Sequence, residues 1–302
     1  MDGILLLEKQ KETNHYQIQS LPINSGVFCL KKDRFQDVVW IGTDGQGVYL
    51  YSNPLYSIKS MVLSNYTEKI ERPVRAIYLD DERTFWVGTK GNGILKIYDY
   101  EFDKNISDCR AEVLTTSNSA LSSNAVYCFA KSHRNLLWIG DEEGLTYYSY
   151  REKRIKSIPI RIGNEDFKYI HDIYETADSE LWLVSVGMGV VKARIAGTPD
   201  NPVIVDAQRY IINDGELGSN YFFTIYAENE ANLLFGNKGY GVFRYNETTN
   251  GLEPVSTHKY ENMTLNNILA ISKDSSNNYL FGTSYGLIKY TSETSYQLFN
   301  AK

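Results

Sequence analysis

Cysteine is scarce in this 302-residue chain, with three copies, and histidine is hardly commoner, with four. The thiols stand at 29, 109 and 128, with no Cys-x-x-Cys pair and no Cys/His spacing of a zinc set, so a structural metal site has no support. His15, His133, His171 and His258 are scattered, without a His-Glu-x-x-His motif or a shared helical face. No run of about 18 apolar residues exists, so no segment reads as a membrane-spanning helix. An excess of positive charge is missing too. The net charge of −6 and pI near 5.4 leave no basic footprint for nucleic acid or anionic lipid. There is no Gly-x-Ser-x-Gly elbow, and no helix follows any glycine-rich segment, so none reads as a phosphate loop. No catalytic residue, metal or cofactor is therefore assigned.

What the chain has is repetition. Six related phrases run along it: VVWIGTDGQGVYLY (38–51), TFWVGTKGNGILKIY (84–98), LLWIGDEEGLTYYSY (136–150), LWLVSVGMGVVKA (181–193), LLFGNKGYGVFRY (233–245) and YLFGTSYGLIKY (279–290). Aligned on Gly42, Gly88, Gly140, Val184, Gly236 and Gly282, they recur at steps of 46, 52, 44, 52 and 46 residues. A period in this range marks a repeat architecture. Each phrase is an apolar run, a Gly-rich break and a second run of period-2 character, which is a β-hairpin signal. A further strand precedes each hairpin: 27–32, 74–80, 126–131, 170–175, 222–227 and 268–273. A weaker outer strand follows some of them, at 56–63, 154–160 and 296–300. Four strands per repeat in meander order predict an all-β fold, a β-propeller of four-stranded antiparallel blades. A solenoid is the competing repeat fold, but its repeats are shorter or helical, and no period-3.6 stretch occurs here. The anchoring glycines are expected where neighbouring blades converge and bulk is excluded.

GILLL (3–7) is too short for a signal-peptide core and follows acidic Asp2. With HYQIQSL (15–21) it reads as part of an incomplete blade over 1–21, ahead of six full repeats in one propeller domain spanning 1–302. A seven-bladed ring with one blade incomplete is the closest arrangement; six blades closed by the leading strands is the other. The chain is expected to be a fragment or a truncated product. Cys29 and Cys128 share one place in the inner strands of repeats one and three, which are not neighbours, so they are expected unpaired, as small buried apolar groups.

The string LSSNAVYCFAKSHRNLLWIGDEEGL (121–145) resembles the two-component regulator propeller repeat. Its Asn element recurs at 217–220 and 265–267, and its Trp-Ile/Val-Gly-Thr element at 40–43 and 86–89. Repeats one, two and four lack the Leu-x-Ser-Asn opening, and the last two carry Leu234 and Leu280 in place of Trp. The resemblance implies the periplasmic sensor region of a hybrid two-component regulator of Bacteroidetes. In that family tandem propellers precede a small sandwich, a membrane helix, a histidine kinase and response-regulator modules. The implied role is non-catalytic sensing of oligosaccharides from polysaccharide breakdown, with further sensor domains of the same protein or a second copy as partners.

The residues themselves place a binding surface on one face. The loops entering the inner strands set Ser25, Arg72, Asn124, Lys168, Asn220 and Asn266 at one equivalent position, and Pro73, Tyr169, Tyr221 and Asn267 at the next. Amide and guanidinium donors beside tyrosine rings suit a polyhydroxylated ligand. The 24 tyrosines against 12 phenylalanines favour wet, hydrogen-bonding surfaces. Arg72, Asn124, Lys168, Tyr169, Asn220, Tyr221 and Asn266 are the candidate ligand residues. Asn before a strand also caps its own loop, whereas Arg72 and Lys168 depart from the repeat. Two other functions stay open: a protein-binding scaffold, and a lyase or hydrolase with His171 as general base.

Overall fold

A computed structural model describes residues 4–9, 16–34, 37–52, 57–61, 70–100, 109–212, 220–255, 266–292 and 295–299. Its regular structure is all strand, and its fold class is the β-propeller. Six four-stranded antiparallel sheets run in simple meander order. Blade 1 is Val27–Lys32, Val38–Thr43, Val48–Ser52 and Ser57–Met61. Blade 2 is Val74–Leu79, Phe85–Thr89, Ile94–Ile97 and Ala111–Leu114. Blade 3 is Val126–Lys131, Leu136–Asp141, Leu145–Ser149 and Arg154–Ser157. Blade 4 is Ile170–Glu175, Glu180–Ser185, Gly189–Thr198 and Asn201–Tyr210. Blade 5 is Phe222–Asn229, Asn232–Asn237, Gly241–Asn246 and Gly251–Pro254. Blade 6 is Ile268–Lys273, Tyr279–Thr283, Leu287–Ser292 and Ser295–Phe299.

The leading strands, Ile4–Lys9 and Tyr16–Leu21, form a two-stranded sheet of their own. The last blade draws all four strands from 268–299. A small hairpin of Arg161–Ile162 and Glu165–Asp166, absent from the repeat pattern, joins blades 3 and 4. The described residues group into two compact units, one from 1–118 with 124–126, the other from 119–123 with 127–300. Blades 1 and 2 lie in the first, and blades 3 to 6 in the second apart from Val126.

The second strands of blades 1 to 5 pack on both faces, which is why they read as continuous apolar runs rather than alternations. Every residue of Leu136–Asp141 and of Phe85–Thr89 is buried. All four tryptophans, Trp40, Trp86, Trp138 and Trp182, occupy this strand and are at most 2% exposed. Each contributes roughly 3 kcal/mol of apolar burial. In the first unit Trp40 meets Phe85 of the next blade at 4.4 Å and Tyr100 at 5.0 Å. In the second, Trp182 of blade 4 meets Phe235 and Tyr245 of blade 5 at 5.6 and 4.7 Å.

The buried indoles need acceptors. Trp40 donates to Asp33 and Trp86 to Asp80, both at 2.9 Å, from the turn that opens the strand. Blade 3 has Ser132 at that place, and Trp138 donates instead to Glu175 of blade 4 at 2.7 Å. The acidic turns thus have a structural use: the second oxygen of Asp80 accepts the backbone N–H of Glu82 and Thr84.

Steric exclusion explains the anchoring glycines Gly42, Gly140 and Gly236. A Cβ on Gly140 would lie 2.5 Å from Cys128 Sγ and 2.7 Å from the carbonyl oxygen of Ile170 in the next blade. One on Gly236 would meet Thr224 Cγ2 at 2.7 Å and the Ile268 oxygen at 2.8 Å. Val184 is the exception, and its register partner is Asp172. The Asp172 carboxylate turns away to accept Ile225 N–H at 2.8 Å and the Thr224 hydroxyl at 3.2 Å. Where other blades set Cys29, Ala76, Cys128, Thr224 and Ala270 against glycine, blade 4 leaves room for a valine.

Candidate functional site

The entering loops carry the candidate residues, and backbone hydrogen bonds hold each loop in place. The carbonyl of Gly26 accepts Asp44 N–H at 2.8 Å, Pro73 accepts Lys90 at 2.9 Å, Tyr169 accepts Val186 at 3.2 Å and Tyr221 accepts Lys238 at 2.9 Å. Each loop is thereby clasped to the hairpin turn of its own blade. It is also latched to the turn of the blade before. The Asn124 carbonyl accepts Gly91 and Gly93 N–H, both at 2.9 Å, and that of Asn220 accepts Gly187 and Gly189, both at 3.1 Å. The Asn266 carbonyl accepts Gly239 at 3.1 Å. The turn glycines reach these carbonyls through positive φ, 125° at Gly91 and 76° at Gly93. A Cβ on Gly93 would also sit 2.2 Å from the Leu114 oxygen, so only glycine fits.

The asparagine side chains serve the same scaffold. Asn124 Oδ1 accepts Thr116 N–H at 2.9 Å. Asn220 accepts Ile212 N–H at 2.7 Å and donates back to the Ile212 carbonyl at 3.3 Å. Asn266 is buried, 3% exposed. Ser25, at the matching place in blade 1, is buried and donates to the Asp44 carbonyl at 2.9 Å. This column of the repeat shapes loops before it meets anything else.

The departures from the column behave differently. Arg72 is exposed, its backbone N–H capped by Asn92 Oδ1 at 3.0 Å and its stem lying along Gly91. Lys168 Nζ is 2.5 Å from Glu143, and that hydrogen bond holds its ammonium above the ordinary lysine value. Tyr169 is 41% exposed and has φ of 55°, a left-handed conformation that a bulky side chain rarely adopts. Its N–H donates to the Glu142 carbonyl at 3.0 Å, so two backbone bonds pay for the strain. Tyr221 is half-buried, with Lys238 Nζ 5.4 Å from its ring centre. Lys168 and Tyr169 thus sit beside the acidic turn of blade 3, and Tyr221 beside the turn of blade 4, as the entering-loop geometry requires.

Two features were not anticipated. In five blades the register of the inner strand skips one residue: Phe28, Arg75, His171, Phe223 and Leu269. Each is a β-bulge, which re-aims its side chain. His171 stacks on Tyr127 at 4.4 Å and 16°, and meets Phe223 edge-on at 5.7 Å. Arg75 lies 3.8 Å above the ring of Phe28. The second feature is Asp141, fully buried where other blades carry the neutral Thr, Ser or Asn. Comparing the six repeats column by column exposes both, because each is a column whose chemistry departs from its neighbours. Among the described residues no group of three or more His, Cys, Asp or Glu could hold a metal ion. His15 and His258 lie outside the described residues, as do positions 217–219 and 265 of the Asn elements.

No protein-family model matches the chain. Its sequence is 31% identical over 140 residues to translation initiation factor 6 of Saccharolobus solfataricus, a match that covers 42% of this chain and 57% of that protein and assigns no family. The whole fold recurs in solved structures. The extracellular domain of BT4673 from B. thetaiotaomicron, described as a hybrid two component system, superposes with a TM-score of 0.61 at 16% identity. That likeness covers 98% of this chain and 46% of the other, so the chain spans about half the length of this structural relative. The WD40 β-propeller domain of Doa1 superposes with a TM-score of 0.63 at 11% identity, covering 93% of this chain and 83% of that one. At these identities the likeness is one of fold. The first of these neighbours is the kind of protein that the repeat resemblance implies.

Proposed function

We propose that this chain is a non-catalytic, ligand-sensing propeller of an extracytoplasmic sensor, and that its ligand is an oligosaccharide released from a polysaccharide. The observation that carries the reading is the likeness of almost the whole chain to about half of an extracellular sensor domain, joined to the repeat resemblance in 121–145. On this reading the chain lies in the periplasm and works beside further sensor domains of the same protein or a second copy. Tyr169 and Tyr221 are the ligand residues of the second unit's entering loops, with Lys168 held ready by Glu143, and Arg72 is the separate candidate of the first unit. The strained backbone of Tyr169 supports this choice, because strain kept at an exposed ring is more often tied to a site than to packing. Asn124, Asn220 and Asn266 shape the loops that present them.

The test is a thermal-shift titration with oligosaccharides cut enzymatically from xylan, mannan, pectin and chondroitin sulfate. A ligand at about 100 times its Kd stabilises the folded chain by about 2.7 kcal/mol. Tyr169→Ala and Tyr221→Ala, both in the second unit, are expected to abolish that shift. Unchanged shifts in both variants remove these residues from the site.

A second reading, a protein-binding scaffold, draws on blade 4. Its outer strand is ten residues long against four or five in the other blades, and it exposes Val203 and Val205 at 44% and 51%. Exposed valines on an edge strand invite pairing with another chain. Association that disappears in Val205→Lys, with no saccharide bound, would move this reading ahead.

A further inference from the structure

We infer that Tyr127, His171 and Phe223 form a saccharide-binding platform on the inner strands of blades 3 to 5, an assignment that rests on the proposed sensing role. The argument starts from three adjacent columns of the repeat. The first residue of the inner strands is apolar throughout: Val27, Val74, Val126, Ile170, Phe222 and Ile268. The third is small or short: Cys29, Ala76, Cys128, Asp172, Thr224 and Ala270. Between them stand Phe28, Arg75, Tyr127, His171, Phe223 and Leu269, all large, none acidic, and none buried. A column with uniform flanks and a varied, bulky, accessible middle is not set by packing, which would have made the middle uniform as well.

The backbone points the same way. Each bulge gives up regular ladder pairing at that residue and is found where a side chain must be re-aimed. It recurs at this residue in five of the six blades. In the second unit the re-aimed His171 and Phe223 meet edge-on, and the Tyr127 ring from the same column of blade 3 stacks on His171. The Asp172 carboxylate braces the bulge of blade 5 from blade 4 through Ile225 N–H and the Thr224 hydroxyl, so the row is held by hydrogen bonds beneath it. In the first unit the same column sets the Arg75 guanidinium over the Phe28 ring. Rings with a phenol, an imidazole or a guanidinium among them fit the mixed surface of a pyranose: its C–H faces lie against aromatic carbon, and its hydroxyls meet the polar edges.

Isothermal calorimetry with the oligosaccharide mixtures named above, fractionated to single species, tests the site on the full chain. Tyr127→Ala and Phe223→Ala are expected to weaken binding at least tenfold, about 1.4 kcal/mol. Phe223→Trp, which keeps a ring, should bind like the parent, as should Val205→Thr on the outer strand. In the parent chain, titration should shift the imidazole signals of His171, assigned by His171→Gln, a readout that does not depend on the alanine variants folding. Parental binding by both alanine variants, or unmoved His171 signals while saccharide binds, overturns the platform and leaves the sensing role standing. Failure of every fraction to bind the parent overturns the sensing role, and the platform with it.

Discussion

Asp141 occupies the place where other blades carry Thr43, Thr89, Ser185, Asn237 and Thr283. There the threonine hydroxyls donate to the turn, as Thr43 does to the Gly47 carbonyl at 2.7 Å. Asp141 instead accepts Ser122 Oγ at 2.6 Å and the N–H of Glu143 and Gly144 at 2.9 and 3.0 Å. Burial outweighs these bonds and pushes the carboxyl from 3.8 up to about 6. The folded chain therefore binds a proton that the unfolded chain has released. This group's contribution to stability is complete below about pH 4 and is lost as pH rises through about 6. Asp141→Asn, neutral at every pH, should match the parent near pH 4 and exceed it by at most about 3 kcal/mol near pH 8, at 1.36 kcal/mol per unit. Urea unfolding at the two pH values checks this; a difference independent of pH would sink it. The anchoring glycines give a second contrast at the same scale. Gly140→Ala drives a methyl onto a backbone carbonyl and should cost about 2–3 kcal/mol. Gly282→Ala meets only Ala270 Cβ, at 3.4 Å, and should leave stability nearly unchanged.

In blade 2 the opening turn is closed by one acid that does two jobs. Asp80 takes the N–H of Glu82 and Thr84 on one oxygen and the Trp86 indole on the other. Asp80→Ala should cost about 3 kcal/mol, because it leaves a buried indole donor without its acceptor as well as opening the turn. Asp80→Asn restores only part of that, since one amide oxygen cannot serve both, and its NH₂ would face another donor. Chemical denaturation of the two variants gives the order; equal losses would refute the division of labour. The hairpins themselves were legible in the chain because second strands are buried on both faces and their glycine breaks are obligatory. The outer strands Ala111–Leu114, Asn201–Tyr210 and Gly251–Pro254 were not, for they pair on one side only and carry little apolar pattern. The indole acceptors were half legible. An acid before Trp40 and Trp86 suits a turn, but that Trp138, with no acid in its own turn, borrows Glu175 from blade 4 is a relation between blades, invisible to local pattern. The entering-loop asparagines suit both a ligand and a loop cap by pattern alone, and the side chains of Asn124 and Asn220 bond loop backbone. The bulged column escaped because a bulge breaks the period on which strand reading depends.

The three cysteines allow the two units to be followed separately in the whole molecule. Cys29 belongs to the first unit and is half-buried, and desolvation beside Gly42 pushes its thiol up to about 12. Cys128 belongs to the second, buried with its Sγ donating to the Ile170 carbonyl at 3.7 Å, and its thiol is raised well above the ordinary value, first by burial. Thiolate is the reactive form, so at about pH 8 neither is available until its surroundings open. Cys109, half-buried at the edge of the blade 1 and 2 core, should be modified first by a disulfide reagent, followed by the others only as strand structure is lost. Three thiols reacting together at one fast rate would contradict this core. The adjacency of Cys128 to Tyr127 carries the test through to function. A saccharide held on the second unit at about 100 times its Kd adds about 2.7 kcal/mol to the folded state. When labelling depends on opening, that slows Cys128 about a hundredfold while leaving Cys109 untouched. If the units open together, Cys29 slows by the same factor; if they open independently, it keeps its rate. A bound saccharide that left Cys128 at its original rate would place the ligand away from the second unit.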